Sequence, residues 1–226
     1  MRAVAHIVQP KIIGVTENLR APLTRMFSNR RIDVISNGVD LRRFTRNRGR
    51  ARSILNIDLR ARVIGAAGRL EFVKGYDLLL EAFSLLPSDV VLVIAGHGSQ
   101  RAALDERALS LRVADRVKFL GHRDDVAELY GAFDVFCQPA RNEGLPLAVL
   151  EAQACGVPVV GTLVGDMASA ICPESGRLVE PEKVGALATA LDNALARADV
   201  LSPRQFIADR FNWRDTLEGY TTALGV

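Results

Sequence analysis

No apolar run in the 226 residues approaches the roughly 18 that a membrane span needs. The stretch 90–95 is typical of the longest. The first fifteen residues do not read as a signal peptide, because His6, Gln9, Pro10 and Lys11 interrupt their apolar character. Nothing here argues for export. Cysteine is scarce: Cys137, Cys155 and Cys172 are dispersed, with no C-x-x-C. That excludes a disulfide framework and a zinc ribbon, and their apolar neighbours suggest buried free thiols. The histidines are His6, His97 and His122, with no H-E-x-x-H, so no metal site is expected. Three nucleotide and hydrolase signatures are missing as well. There is no G-x-G-x-x-G, no G-x-x-x-x-G-K-[ST] and no G-x-S-x-G. A dinucleotide fingerprint, a P-loop and a serine-hydrolase elbow are thereby excluded. No Asp-x-Asp pair is present to hold a divalent ion against a diphosphate.

What is present is ordinary in bulk and uneven in distribution. The chain is 49% hydrophobic and 24% charged, as soluble domains are. Its net charge of +3 conceals a division. Residues 1–62 carry 14 Lys+Arg against 4 Asp+Glu, whereas residues 63–226 carry 15 against 22. Between Arg42 and Arg62 lie eight arginines and one acid, Asp58. Such a run is either a solvated helix face or a patch for anionic lipid or nucleic acid. Only Phe44 interleaves with it, so base stacking has little support and no nucleic-acid partner is expected.

From residue 61 onward, short β-branched apolar runs alternate with stretches of helical period. Strands are expected at 63–67, 90–95, 116–120, 134–138 and 157–160, with helices at 76–86, 100–111, 125–132 and 147–155 between them. Continuous apolar strands suit a sheet buried on both faces. Alternation with helices predicts a doubly wound, parallel, Rossmann-like α/β sheet. A short strand at 176–179 and helices at 183–197, 203–210 and 213–224 complete the pattern. Ahead of it come a strand at 11–15, a helix at 18–27, a strand at 32–35 and a turn at Asn37-Gly38, where positive φ is expected. These pieces have too little apolar surface for a core of their own. They read as the tail of another domain.

In such sheets the ligand lies beyond the carboxyl ends of the strands. Two loops there are informative. Gly68 to Gly75 sets Arg69 and Lys74 five residues apart after the first buried strand, just before a helix. A guanidinium grips phosphate with paired N–H bonds, an ammonium adds a point charge, and the helix start favours anions. The bland alternative is an exposed loop with two surface cations. Glu143 to Glu151 sets two carboxylates around Gly144, Leu145, Pro146 and Leu147 at another helix start. Carboxylates accept paired hydroxyl hydrogen bonds, as sugars and ribose require, while the amides of Gly144, Leu145 and Leu147 suit an anion. A single Glu at a helix N-terminus would be unremarkable; two at this spacing are a strong signal. The third loop, Gly96-His97-Gly98, is weak by itself.

Several stretches together resemble a known family. They are I-S-N-G-V-D-L-R-R-F over 35–44, G-R-L-E-F-V-K-G-Y-D over 68–77, I-A-G-H-G over 94–98 and F-L-G-H over 119–122. The most specific is N-E-G-L-P-L-A-V-L-E-A-Q-A-C-G-V-P-V-V over 142–160. The chain resembles the carboxyl-terminal, donor-binding half of the family-four retaining glycosyltransferases, whose GT-B fold has two Rossmann-like domains. The resemblance implies residues 1–35 as the end of the amino-terminal acceptor domain and its linker. It implies 36–210 as the nucleotide-sugar domain and 211–226 as a helix returning to the other domain. Arg69 and Lys74 would bind the donor diphosphate, Glu151 the ribose, and Glu143 the donor sugar near the reacting carbon. Gly68, Gly98, Gly144, Leu145 and Leu147 would line the donor, with His122 and Arg123 beside the base. The donor would be a UDP-, GDP- or ADP-sugar, used without metal or other cofactor. The acceptor would be a sugar or a lipid-linked molecule, in lipopolysaccharide, exopolysaccharide or glycolipid synthesis, with the protein in the cytoplasm, free or peripheral at the inner face of the membrane. Ala140, Asp166 and Ser169 depart from the family's usual Ser, Gly and Glu. The facing domain is not in this sequence, so a missing amino-terminal half or partner subunit is expected to complete transfer. The rival reading is a nucleotide-sugar-binding module with no turnover of its own.

Overall fold

A computed structural model describes residues 11–197 and 202–225, so residues 1–10 of the expected acceptor-domain tail lie outside the described residues. The front of the chain makes a small parallel pair. β1 (Ile12–Gly14) and β2 (Ile32–Val34) are joined by α1 (Arg20–Met26). The linker that follows is pinned by the far end of the chain, since Val39 bridges Asn212. Gly38 is required there for a reason other than the expected turn. It is absent from the positive-φ glycines, and a Cβ on it would lie 2.5 Å from the Asn212–Trp213 backbone.

After α2 (Arg48–Leu55) the main sheet begins. Its strands are β3 (Arg62–Ala67), β4 (Val90–Ala95), β5 (Val117–Gly121), β6 (Val135–Gln138), β7 (Val159–Thr162) and β8 (Arg177–Val179). The helices between them are α3 (Tyr76–Ser84), α4 (Arg101–Ser110), α5 (Val126–Leu129), α6 (Leu147–Ala154) and α7 (Met167–Ala170). Then come α8 (Val184–Ala196), α9 (Arg204–Arg210) and α10 (Trp213–Leu224). All six strands are parallel, in the order β5-β4-β3-β6-β7-β8. The strands are apolar throughout because both faces are covered. Ile64, Leu92, Ile94 and Val135 pack with Leu79, Leu80 and Phe83 of α3, Leu104 of α4 and Leu191 of α8. Their strand neighbours Val63, Val93 and Phe136 point the other way, against Leu55 of α2, Val149 and Leu150 of α6 and Ile207 of α9. Each such side chain contributes about 1.5–3 kcal/mol by leaving water.

The order has one consequence for function. From β3 the chain winds outward to β4 and β5, then returns to place β6 on the opposite side of β3. The crevice at that reversal opens beyond the carboxyl ends of β3 and β6. The loops containing Arg69 and Glu143 leave those two strands.

The arginine-rich stretch is partly internal. Arg52 on α2 has a side chain with 0% exposure. It donates to the carbonyls of Asp58, Leu59, Ala61 and Ala132 at 2.7–3.1 Å, and to Asp134 Oδ2 at 2.9 Å. Asp134 also accepts from Val63 N at 2.8 Å. One guanidinium thus staples the entries to β3 and β6, the strands flanking the crevice. Arg42, Arg48, Arg50 and Arg62 each meet a carboxylate too, whereas Arg43, Arg46 and Arg60 stay outside such pairs among the described residues. A wholly solvated helix face is therefore not what forms.

The last helix reaches back to the front of the chain. Thr216 Oγ1 donates to Ser36 O at 2.8 Å, and a Cβ on Gly219 would lie 2.9 Å from the Ile35 side chain. Leu19 beside α1, Met26 on it, and Leu217 and Leu224 on α10 are exposed. Among the described residues no helix is long and apolar enough to cross a membrane.

Candidate functional site

The loops after β3 and β4 are hydrogen-bonded to each other. Gly68 N donates to Ala95 O at 3.0 Å, Leu70 N to His97 O at 2.9 Å and Gln100 N to Leu70 O at 2.9 Å. Glu71 accepts from Ser99 Oγ at 2.6 Å. A Cβ on Gly98 would fall 2.4 Å from Leu70 O, so this glycine lets the two loops touch; it is not among the residues lining the cavity described next. The zipped loops form one wall of a cavity of about 350 Å³. Gly68, Arg69, His122, Arg123 and Glu151 all face it, joined by His97 and Tyr130. Four strand ends contribute to this cavity, which is why residues 82 positions apart meet.

Within it Arg69 is exposed. Arg123 is held by Asp125 at 2.7 Å, and His122 stands 5.4 Å from His97, edge to face. Glu151 projects from the second turn of α6. Burial pushes its carboxyl above the ordinary glutamate range, opposed by a hydrogen bond from Tyr130 and the charge of Arg43.

Lys74 and Glu143 are not among the residues lining this cavity; they pair with each other on the loops that leave β3 and β6. Lys74 closes a single 3₁₀ turn, Phe72–Lys74, ended by left-handed Gly75. Its ammonium reaches Glu143 Oε2 at 2.6 Å, and Gln138 Nε2 donates to the same oxygen at 2.8 Å. Arg141 locks the two loops together. It donates to Phe72 O at 2.8 Å and to both oxygens of Asp77 at 2.8 and 2.7 Å, and it stacks 3.9 Å above the Phe72 ring. Its own N–H donates to Val73 O at 2.8 Å. Lys74 is thereby presented to Glu143 by a rigid turn.

The remaining expected residues are more dispersed. α6 starts at Leu147 with no side-chain cap, leaving its first N–H groups available. Gly144 and Leu147 are exposed at this turn and line neither cavity described here. Leu145 faces a second cavity of about 370 Å³, with Thr16, Asn18, Asp166 and Ser169. There the side chain of Asn18 donates to Asp166, tying the front of the chain to the loop before α7. Sequence reasoning passed over Tyr130, Gln138, Arg141 and His97 as contributors. His97 stood within a loop already singled out. The other three carry no motif. Among the described residues no group of three or more His, Cys, Asp or Glu is placed to share a metal ion.

The fold is a Rossmann-like α/β domain, and its crevice gathers cations and carboxylates at a topological switch point. The profile of the family "Glycosyl transferases group 1" matches residues 47–208, so the chain belongs to that family. A D-inositol 3-phosphate glycosyltransferase from Mycolicibacterium gilvum is 39% identical over 206 residues, covering 86% of this chain and 46% of that protein. One from Rhodococcus opacus is 37% identical over 209 residues, covering 84% and 46%. The chain spans about half the length of these curated relatives. Among solved structures, Anabaena HepE in complex with UDP and glucose superposes with TM-score 0.86 at 21% identity, covering 95% of this chain and 62% of that one. WaaG, a glycosyltransferase involved in lipopolysaccharide biosynthesis, gives 0.85 at 22% identity, covering 96% and 63%. At such identities these two speak for the fold, a GT-B half.

Proposed function

We propose that this chain is the donor-binding half of a retaining glycosyltransferase that uses a nucleoside diphosphate sugar without a metal ion. The observation that carries the proposal is the convergence of Arg69 and Glu151 in one cavity at the β3/β6 switch point, beside the Lys74–Glu143 pair. Arg69 and Lys74 meet the diphosphate. Glu151 accepts from the ribose hydroxyls. Glu143 faces the donor sugar, with the uncapped start of α6 beside it. His122 and Arg123 edge the base.

As the bond from the anomeric carbon to the phosphate oxygen breaks, negative charge grows on the leaving diphosphate. Fixed cations and helix-terminal N–H groups aimed at that charge favour the transition state over the ground state. Arg69 and Lys74 then supply the compensation a metal would otherwise give. The acceptor hydroxyl arrives from a facing unit, which meets α1 and α10 at exposed Leu19, Met26, Leu217 and Leu224. Cell-surface polysaccharide or glycolipid synthesis at the inner face of a membrane is the setting we favour. The relatives' acceptor, inositol 3-phosphate, does not follow from the likeness, because the matched half is the one we assign to the donor.

A thermal-shift screen against UDP, GDP, ADP and their nucleosides tests the reading, since a ligand that binds only the folded state raises the melting temperature. One diphosphate should stabilise the chain well beyond its nucleoside. A paired assay separates binding from turnover. The chain alone should bind the matching nucleotide sugar yet transfer nothing, and adding the amino-terminal half of a relative should restore transfer. Robust transfer by the chain alone would show that an acceptor site lies within these residues.

A further inference from the structure

One wall of the candidate cavity has no part in the mechanism above. Tyr130 is fully buried, yet its hydroxyl donates to Glu151 Oε2 at 2.7 Å. The residue belongs to the turn Tyr130–Ala132, between α5 and β6. Its ring is boxed by Phe44, Phe136 and Phe133, at centroid separations of 6.0, 5.7 and 6.1 Å. The next residue, Gly131, backs onto the Asn47 main chain, where a Cβ would meet atoms at 3.0 Å. Ring and turn therefore have little room to shift. Burial and the adjacent carboxylate push the hydroxyl well above the usual tyrosine range, so it remains a donor at neutral pH.

A phenylalanine would fill the same aromatic box. What the hydroxyl adds is a single donor, spent on one oxygen of a half-buried carboxylate at the cavity edge. Glu151 has several rotatable bonds and, left alone, would sample several rotamers or turn toward solvent. With Oε2 held, Oε1 is the oxygen left to accept from a ligand. We propose that Tyr130 is the positioning residue of this site, orienting Glu151 so that its free oxygen meets the ribose hydroxyls of the donor. The inference rests on the donor reading, in which Glu151 binds ribose.

The test measures discrimination between a ribonucleoside diphosphate and its 2′,3′-dideoxy analogue by calorimetry, using the diphosphate that best stabilises the wild-type chain. The wild type should prefer the ribonucleotide. Tyr130→Phe should bind it roughly tenfold more weakly, the scale of one hydrogen bond to a charged group. It should bind the dideoxy analogue and inorganic pyrophosphate as the wild type does. A role confined to packing would lower stability and weaken all three ligands together. Glu151→Asp leaves the aromatic box intact but withdraws the carboxylate from the hydroxyl, so it should lose the same discrimination even if Tyr130→Phe folds poorly. Undiminished discrimination in either folded variant would overturn the proposal. A wild type that binds the diphosphate without preferring ribose would overturn it too, while leaving phosphate recognition by Arg69 and Lys74 standing. A wild type that binds no diphosphate would remove the donor reading and this inference together.

Discussion

Replacing Glu143 by Gln should tighten binding of a bare nucleoside diphosphate, although Glu143 belongs to the site. Lys74 is engaged by Glu143 at 2.6 Å, with side-chain exposures of 18% and 11%. A diphosphate must draw the ammonium away from this carboxylate or share it, and the carboxylate also repels the phosphates. So enclosed a pair lies above the 0.2–1 kcal/mol of exposed ion pairs and near the 1.5–3 kcal/mol of a charge-assisted hydrogen bond. Taking about 1.5 kcal/mol as the competition removed, Glu143→Gln should raise diphosphate affinity roughly tenfold. The amide oxygen can still accept from Gln138, which keeps the turn in place. The gain should shrink for the nucleotide sugar, because a carboxylate that accepts from sugar hydroxyls has been lost. Calorimetry with both ligands on both proteins reads the two effects. If Glu143→Gln leaves diphosphate affinity unchanged or weakens it, Lys74 is not the cation the phosphates recruit.

Other changes should separate in the same way. Arg69→Ala and Lys74→Ala should each weaken diphosphate binding far more than nucleoside binding; equal losses would deny them the phosphates. Arg52→Met should lower the melting temperature by on the order of 5–10 °C, because the carbonyls of Ala61 and Ala132 lose their guanidinium donor while Asp58 O, Leu59 O and Asp134 keep Ala61 N, Arg48 and Val63 N, a loss of about 2–3 kcal/mol. An unchanged melting temperature would mean that the staple beneath β3 and β6 carries little. Association with anionic vesicles, expected from the arginine-rich stretch, should fall to Arg43, Arg46 and Arg60, since the other five are carboxylate-paired. It should therefore be modest, salt-sensitive and lost when those three become alanine. Indifference of the wild type to such vesicles at low ionic strength would discard it.

The parallel sheet was legible because its strands are buried on both faces and so are written as unbroken apolar runs. The expected 90–95 strand matches β4 to the residue. The run at 157–160 is displaced to Val159–Thr162, since Pro158 has no N–H to donate and pairing starts beyond it. α2 escaped notice because a buried arginine occupies a position where the helical period calls for an apolar residue. A charge satisfied by four carbonyls and an aspartate looks, in sequence, like a charge in water. In the site, Arg69, Lys74, Glu143 and Glu151 stood out as cations and carboxylates beside helix starts. Tyr130 and Arg141 did not, because their roles depend on contacts with Glu151, Phe72 and Asp77 across the fold. At Gly98 the structure shows a packing reason that the sequence does not, since a side chain there would collide with the Leu70 backbone.

The most direct measurement is a crystal structure of the chain soaked with the nucleoside diphosphate that best stabilises it. The account predicts the nucleotide at the β3/β6 switch point, with the diphosphate against Arg69 and Lys74, the ribose against the Glu151 oxygen that Tyr130 leaves free, and the base toward His122 and Arg123. A nucleotide bound elsewhere, as in the groove between α2 and α4 beside edge strand β5, or one turned so that its base meets Lys74, would contradict it.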